Sequence, residues 1–217
     1  MTTDERGTHD HGHEHGHDHA HPGTTPDTNE MGHYELMARA MKELLIEKGV
    51  ISADAVRRNI EFLDSRDPAD GARIIARAWT DPDFKKRLLE DGNSAVEEMG
   101  FNMGDAELLV VENTDDVHNM IVCTLCSCYP RPILGLPPDW YKSKSYRSRA
   151  VVEPRAVLKE FGTEVPDDVS VRVHDSNADM RYLVLPKQPA GTEGWSAEKL
   201  TAIVTRDCMV GVTLPKP

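Results

Sequence analysis

Three cysteines crowd into residues 122–128, Val-Cys-Thr-Leu-Cys-Ser-Cys, with a serine between the last two. Deprotonated thiolates are soft ligands that select transition metals over magnesium or calcium. If the backbone folds into a tight loop, Cys123, Cys126 and Cys128 turn toward one point, and the cluster reads as a metal-binding claw. A structural zinc site wants a closed tetrahedral set, commonly two separated Cys or His pairs. The remaining cysteine, Cys208, has no second Cys-x-x-Cys or His-x-x-x-His beside it, which disfavours zinc. A dithiol redox pair would use Cys123 and Cys126 but give Cys128 no role, and a Cys126–Cys128 disulfide would close a small strained ring. Three inert buried cysteines fit least well, because reactivity usually decides whether thiols are kept together.

The spacing also offers an unusual ligand set. The peptide nitrogens of Ser127 and Cys128 lie between two sulfurs, so a metal seated among three sulfurs could displace amide protons and bind those nitrogens. Five protein ligands would leave one open position. Thiolate with amide anion is a strong donor field that suits trivalent cobalt or iron, and the open position can act as a Lewis acid toward water or a multiple bond.

Cys-Thr-Leu-Cys-Ser-Cys-Tyr-Pro (123–130) resembles the metal claw of the nitrile hydratase alpha subunit and of its relative, the thiocyanate hydrolase gamma subunit. The resemblance extends over nearly all of the chain after about residue 34. It is carried by Ala-Trp-Thr-Asp-Pro-Asp-Phe-Lys-Lys-Arg-Leu-Leu (78–89), Val-Glu-Asn-Thr (111–114), Leu-Gly-Leu-Pro-Pro-Asp-Trp-Tyr-Lys-Ser (134–143), Tyr-Arg-Ser-Arg (146–149) and Gln-Pro-Ala-Gly-Thr-Glu-Gly-Trp (188–195). It implies metal ligation by Cys123, Cys126, Ser127 and Cys128, with Cys126 oxidised to sulfinate and Cys128 to sulfenate. It also implies catalytic roles for Cys126, Ser127 and Cys128. Thr124 resembles the cobalt-type members, where iron-type members tend to carry serine. Non-corrin Co(III) is therefore the implied cofactor and Fe(III) the less favoured one.

The implied reaction is hydration of a nitrile to its amide, with the oxygen of sulfenated Cys128, or a water held near it, attacking carbon. Anionic oxidised sulfurs need cationic partners and exclusion of solvent. The resemblance places those cations on a beta-type subunit, one chain or two shorter ones, and implies a metal-loading activator. One departure matters. Most nitrile hydratases carry tryptophan three residues after the last claw cysteine, but here Arg131 stands there, and Arg-Pro-Ile-Leu-Gly (131–135) is similar to thiocyanate hydrolase. A guanidinium beside the metal favours an anionic substrate, while an arginine at a subunit interface is the plainer reading. Thr205–Cys208 and Val212–Pro217 lean the same way; Val-Glu-Asn-Thr and Leu-Pro-Pro-Asp-Trp lean toward the nitrile enzymes and span more residues. The alternative to a nitrile hydratase is thus a thiocyanate hydrolase gamma subunit yielding carbonyl sulfide and ammonia. A non-enzymatic metal sensor or store is the reading of another class, and it leaves Cys-Ser-Cys and the proline-rich stretch after it without a purpose.

Composition sets outer limits. With 217 residues, 39% of them hydrophobic, the chain can bury one good core. A net charge of -12 without a basic stripe argues against a nucleic-acid partner. No apolar run reaches the roughly 18 residues of a membrane span, and a secretory signal pattern is missing. Clustered thiols suit a reducing compartment, so a cytoplasmic location is expected. Residues 1–32 form a His- and acid-rich tail. Up to Glu30 seven acids meet one base, Arg6, and His9, His11, His13, His15, His17, His19 and His21 occupy alternate positions. Such a stretch cannot form a core. Metal capture and an inert solvated tail are both open readings.

The rest is expected to be α+β, an N-terminal helical arm (33–100) followed by a metal-binding catalytic domain (101–217), which the resemblance makes a layered α-β-β-α arrangement. Leu36, Met37, Ala40, Met41, Leu44 and Leu45 recur at helical spacing up to Gly49, and Ser52 opens a second helix with Val56, Ile60 and Leu63 on one face. Met31, Met37 and Met41 suit an adaptable contact surface. Asp70 is expected to begin a helix through Ile74, Ile75 and Trp79, and Thr80-Asp81-Pro82 another reaching Asp91-Gly92. Glu107–Glu112 and Val117–Val122 read as strands, the second running straight into the claw. Pro130, Pro132, Pro137 and Pro138 are expected to forbid regular structure beyond it. Val169–His174 and Arg181–Leu185 read as further strands and Ser196 as the cap of a last helix. His118 and His174 are expected to be satisfied polar side chains on the sheet, not ligands.

Overall fold

A chain bearing proline just inside and aspartate just before several helical stretches should start its helices sharply, and it does. The computed structural model describes residues 32–217; what is expected of the tail and of Met31 lies outside the described residues. These divide into two compact units, one ending at Ala53 and one spanning Asp54–Pro217. The helices before the first strand are α1 (His33–Glu47), α2 (Ala53–Asp64), α3 (Pro68–Thr80), α4 (Pro82–Glu90) and α5 (Gly92–Glu97). Asp67, Asp81 and Asp91 cap α3, α4 and α5, their carboxylates accepting from Ala69 N at 2.6 Å, Phe84 N at 2.9 Å and Ser94 N at 3.0 Å. Asp81 and Asp91 each also close the preceding helix, so one residue stops a helix and starts the next. The expected start at Asp70 therefore moves back to Pro68.

Strands β1 (Glu107–Glu112) and β2 (Val117–Val122) follow as expected. After the claw come four helices, α6 (Arg131–Leu134), α7 (Asp139–Lys142), α8 (Lys144–Val152) and α9 (Pro154–Glu160). This corrects the expectation that Pro130, Pro132, Pro137 and Pro138 exclude regular structure. Pro132 and Pro154 sit in the first turn of α6 and α9, where a missing N–H costs nothing, and Pro138 is the residue before α7. Strands β3 (Ser170–Asp175) and β4 (Met180–Leu185) come next. Val169 drops out of β3 because its N–H is spent in a turn on Pro166 O, at 3.1 Å. Ser196 caps α10 (Ala197–Ile203), which is not the last helix, since Thr205 caps α11 (Arg206–Val210).

Pairing is parallel throughout, β1 with β4 and β2 with β3, giving two two-stranded sheets among the described residues. Helices α4, α5 and α11 pack on β1/β4, helices α8 and α9 on β2/β3, and the sheets meet through β2 and β4. The second unit is thus a layered helix–sheet–sheet–helix body. Ile74, Ile75, Phe84, Leu88, Met120, Val122, Leu183 and Leu185 share one apolar core. Burying such side chains is worth roughly 1.5–3 kcal/mol each, and this core holds the end of β2 in place.

Gly211 locks α11 onto β2. Its φ is 85°, and a Cβ there would stand 2.1 Å from Asn119 O. Gly211→Ala is expected to destabilise the fold by about 2–3 kcal/mol through strain and clash together. A denaturation midpoint unchanged from the parent would contradict this account.

Candidate metal centre

Strand β2 delivers the chain into the claw from the core. Val122 and Cys123 are buried, Cys128 is half-buried and Cys126 is exposed. The parallel register sets Val122 opposite Asp175, and that pairing anchors the loop. Asp175 accepts from Thr124 N at 2.9 Å and from Thr124 Oγ1 at 2.6 Å. Arg147 Nη1 donates to Leu125 O at 3.1 Å, and Tyr141 OH to Cys128 O at 2.8 Å. Just upstream Tyr146 OH donates to Ile121 O at 2.6 Å. Side chains from β3, α7 and α8 therefore fix both ends of the loop and its outer turn.

The result is convergence. Cys126 Sγ lies 3.6 Å from Cys123 Sγ and 3.3 Å from Cys128 Sγ. All three sulfurs fall within 4.8 Å of one another, and no other such group of His, Cys, Asp or Glu occurs among the described residues. Two sulfurs sharing one ion at about 2.3 Å stand roughly 3.3–3.8 Å apart, so the spacing fits a transition metal. Proton chemistry points the same way. The hydrogen bond with Cys128 holds the Cys126 thiol below its ordinary range, helped by the backbone N–H groups of Ser127 and Cys128. Burial pushes Cys128 up to about 12, with the bond to Cys126 adding to it. A cation seated among the sulfurs would favour loss of the second proton. The backbone N–H groups of Ser127 and Cys128 both act on the Cys126 thiol.

A cleft of about 320 Å³ opens over the claw, and Cys126, Ser127, Cys128 and Arg131 all line it. The structure thus brings every sequence-predicted site residue except the buried Cys123 to the cleft wall, with Cys123 directly beneath. Arg131 is exposed, and its guanidinium makes no hydrogen bond or ion pair among the described residues. Sequence reasoning missed Arg181, which also lines the cleft and whose charge acts on the Cys128 thiol. Its Nη1 donates to Asn177 O and Met180 O, folding the side chain back beside the claw. It missed Asp175 and Arg147 as anchors too. Arg147 lay in a quoted motif, but nothing in local spacing ties positions 147, 175 or 181 to 128.

Each of the two strand histidines has a hydrogen-bond partner, as expected of polar side chains on the sheet. His118 Nε2 donates to Gly211 O and His174 Nε2 to Asn119 Oδ1, both at 2.8 Å. Burial holds both below the ordinary imidazole range. Cys208 stands apart, buried against Thr205 Oγ1 at 3.1 Å and Thr213 Oγ1 at 3.4 Å.

A layered helix–sheet body with three thiols converging at the end of a buried strand has the donor set for a transition metal. Residues 32–213 match the family model described as nitrile hydratase, alpha chain, and the chain belongs to that family. It is 52% identical over 196 residues to the low-molecular weight cobalt-containing nitrile hydratase subunit alpha of Rhodococcus rhodochrous, covering 88% of this chain and 93% of that one. It is 44% identical over 204 residues to the thiocyanate hydrolase subunit gamma of Thiobacillus thioparus, covering 88% and 84%. A solved recombinant thiocyanate hydrolase with partially modified cobalt centres superposes with a TM-score of 0.82 at 44% identity, over 87% of this chain and 92% of that one. Among the described residues no helix is long and apolar enough to cross a membrane.

Proposed function

We propose that this chain is the metal-binding, alpha-type subunit of a cobalt nitrile hydratase, which converts nitriles to amides in the cytoplasm. The observation that carries the proposal is the convergence of Cys123, Cys126 and Cys128 under a cleft, in a chain of this family. The three sulfurs and the amide nitrogens of Ser127 and Cys128 would hold cobalt(III). When bound, the ion supplies Lewis acidity at neutral pH. Cys128, as sulfenate, offers an oxygen nucleophile to the nitrile carbon or positions a water for the same attack. The Ser127 hydroxyl, in the cleft wall, is placed to hydrogen-bond the oxidised sulfurs or the substrate. Arg181 supplies positive charge beside Cys128, which favours the anionic oxidised forms.

The partner is a beta-type subunit, one chain or two shorter ones, and a metal-loading activator is expected to serve the claw. Helices α1 and α2 bury none of their residues, and each leaves large apolar side chains uncovered, such as Met41 at 61% and Ile60 at 53% exposed. Surfaces of this kind suit a partner chain. Arg131 in the cleft favours a second reading, the gamma subunit of a thiocyanate hydrolase. Purifying the chain with whatever accompanies it, measuring cobalt and iron, and assaying nitrile and thiocyanate side by side tests both. Loss of the nitrile activity with thiocyanate turnover retained would transfer the assignment to the second reading.

Oxidation is separately measurable. Peptide mass mapping of active protein is expected to show two added oxygens on Cys126, one on Cys128 and none on Cys123. A fully reduced sample with full activity would rule out the proposed chemistry.

A further inference from the structure

Parallel strands packed against helices take ligands beyond their carboxyl ends, and this chain has two such places. Strands β2 and β3 end at Val122 and Asp175, against the claw. Strands β1 and β4 end at Glu112 and Leu185, and β1 turns back into β2 through a short connection in which Thr114 N donates to Val117 O at 2.9 Å. The carboxyl end of β1 therefore lies at the start of β2, roughly 16 Å along that strand from the claw. A cavity of about 540 Å³ opens there, lined among others by Asn113, just past β1, and by Lys187 and Gln188, just past β4. That volume is within the range of small-molecule sites.

We infer that this cavity is a second binding site, for a small molecule that joins an apolar group to a primary ammonium. The inference holds whether the claw acts on nitriles or on thiocyanate. Val117, Val165, Val169 and Leu214 supply the apolar surface. His118, only 5% exposed, lines the same cavity. Its Nε2 donates to Gly211 O, so in the neutral ring Nδ1 carries no proton and is an acceptor, without a hydrogen-bond partner among the described residues. Burial holds the ring below the ordinary imidazole range, which keeps it neutral at pH 7.

The cations near the cavity are already committed. Lys187 pairs with Asp115. Arg155 donates to Val165 O at 2.8 Å, to Pro166 O at 3.1 Å and to Val169 O, which also fixes the loop that leads into β3. Glu164 and Glu193 line the cavity too, and neither has an ion-pair partner among the described residues. The charged and imidazole groups left uncommitted are thus all acceptors. A primary ammonium, with three donors and a positive charge, is the group that answers them.

The test is titration calorimetry on the assembled enzyme at low ionic strength, with benzylamine as the probe and benzyl alcohol as its uncharged counterpart of nearly the same shape. Benzylamine is expected to bind saturably, one per chain, and benzyl alcohol at least about fivefold more weakly. Glu164→Gln combined with Glu193→Gln is expected to weaken benzylamine by about fivefold or more. Both residues are exposed, so the denaturation midpoint should match the parent's. Cys126→Ala, which takes the middle sulfur from the claw, should bind benzylamine as the parent does. An absence of saturable binding, equal affinity for the two probes, or full affinity in the double variant overturns the site. Loss of binding in Cys126→Ala overturns it as well, by moving the amine to the claw.

Discussion

Cys126→Ala is expected to yield protein with less than about a tenth of the parent's bound metal and no measurable turnover. Cys126 is the middle sulfur, 3.6 Å from Cys123 and 3.3 Å from Cys128, so its removal leaves two donors that no longer share a neighbour. It is also the most exposed of the three. The vacated volume therefore opens to water, which exchanges where a thiolate would not. The fold should survive, because Cys123 and not Cys126 belongs to the apolar core and the loop anchors from Asp175, Arg147 and Tyr141 do not touch the lost side chain. Cys208→Ala is the control. That thiol is buried against two threonine hydroxyls, well separated from the claw in role, so metal content should match the parent at a stability cost of about 1 kcal/mol. Elemental analysis with a denaturation curve on each variant separates metal loss from unfolding. Full metal in Cys126→Ala would sink the claw assignment.

The claw was legible because its information is local. Three thiols within six positions specify a chemistry before any fold is known, and β2, an apolar run ending at Val122, shows what delivers them. Helix starts at Pro82 and Ala197 were legible for the same reason, since cap and first turn are neighbours in sequence. Pairing was not. Nothing local says that β2 lies against β3, across more than 40 residues, yet this register alone puts Asp175 within reach of Thr124. Arg181 was hidden similarly, being the second residue of an edge-like run whose place at the cleft depends on β4 lying beside β1. The prolines after the claw misled for a different reason. Their effect depends on position within a turn, and composition alone does not distinguish a first-turn proline from a breaker. Hydropathy likewise gave α1 and α2 apolar faces at helical spacing but not their burial; neither helix has a buried residue.

Arg131→Trp is expected to divide the two candidate substrates. The guanidinium stands at the start of α6 on the wall of the cleft, without an ion-pair partner among the described residues, so its charge is available to whatever the cleft holds. Thiocyanate is an anion, and a hydrogen bond to a charged group contributes on the order of 1.5–3 kcal/mol. Losing it should lower kcat/KM for thiocyanate by roughly 10- to 150-fold. An uncharged aliphatic nitrile gains little from the cation, and an indole in its place extends the apolar surface, so activity on acetonitrile should hold or rise. The pattern reverses if Arg131 instead binds a partner subunit. Both activities would then fall together, and the complex would dissociate at a higher protein concentration than the parent's. Kinetics on both substrates with sizing of the assembly reads each outcome, and equal losses in an intact complex would remove Arg131 from substrate and interface alike.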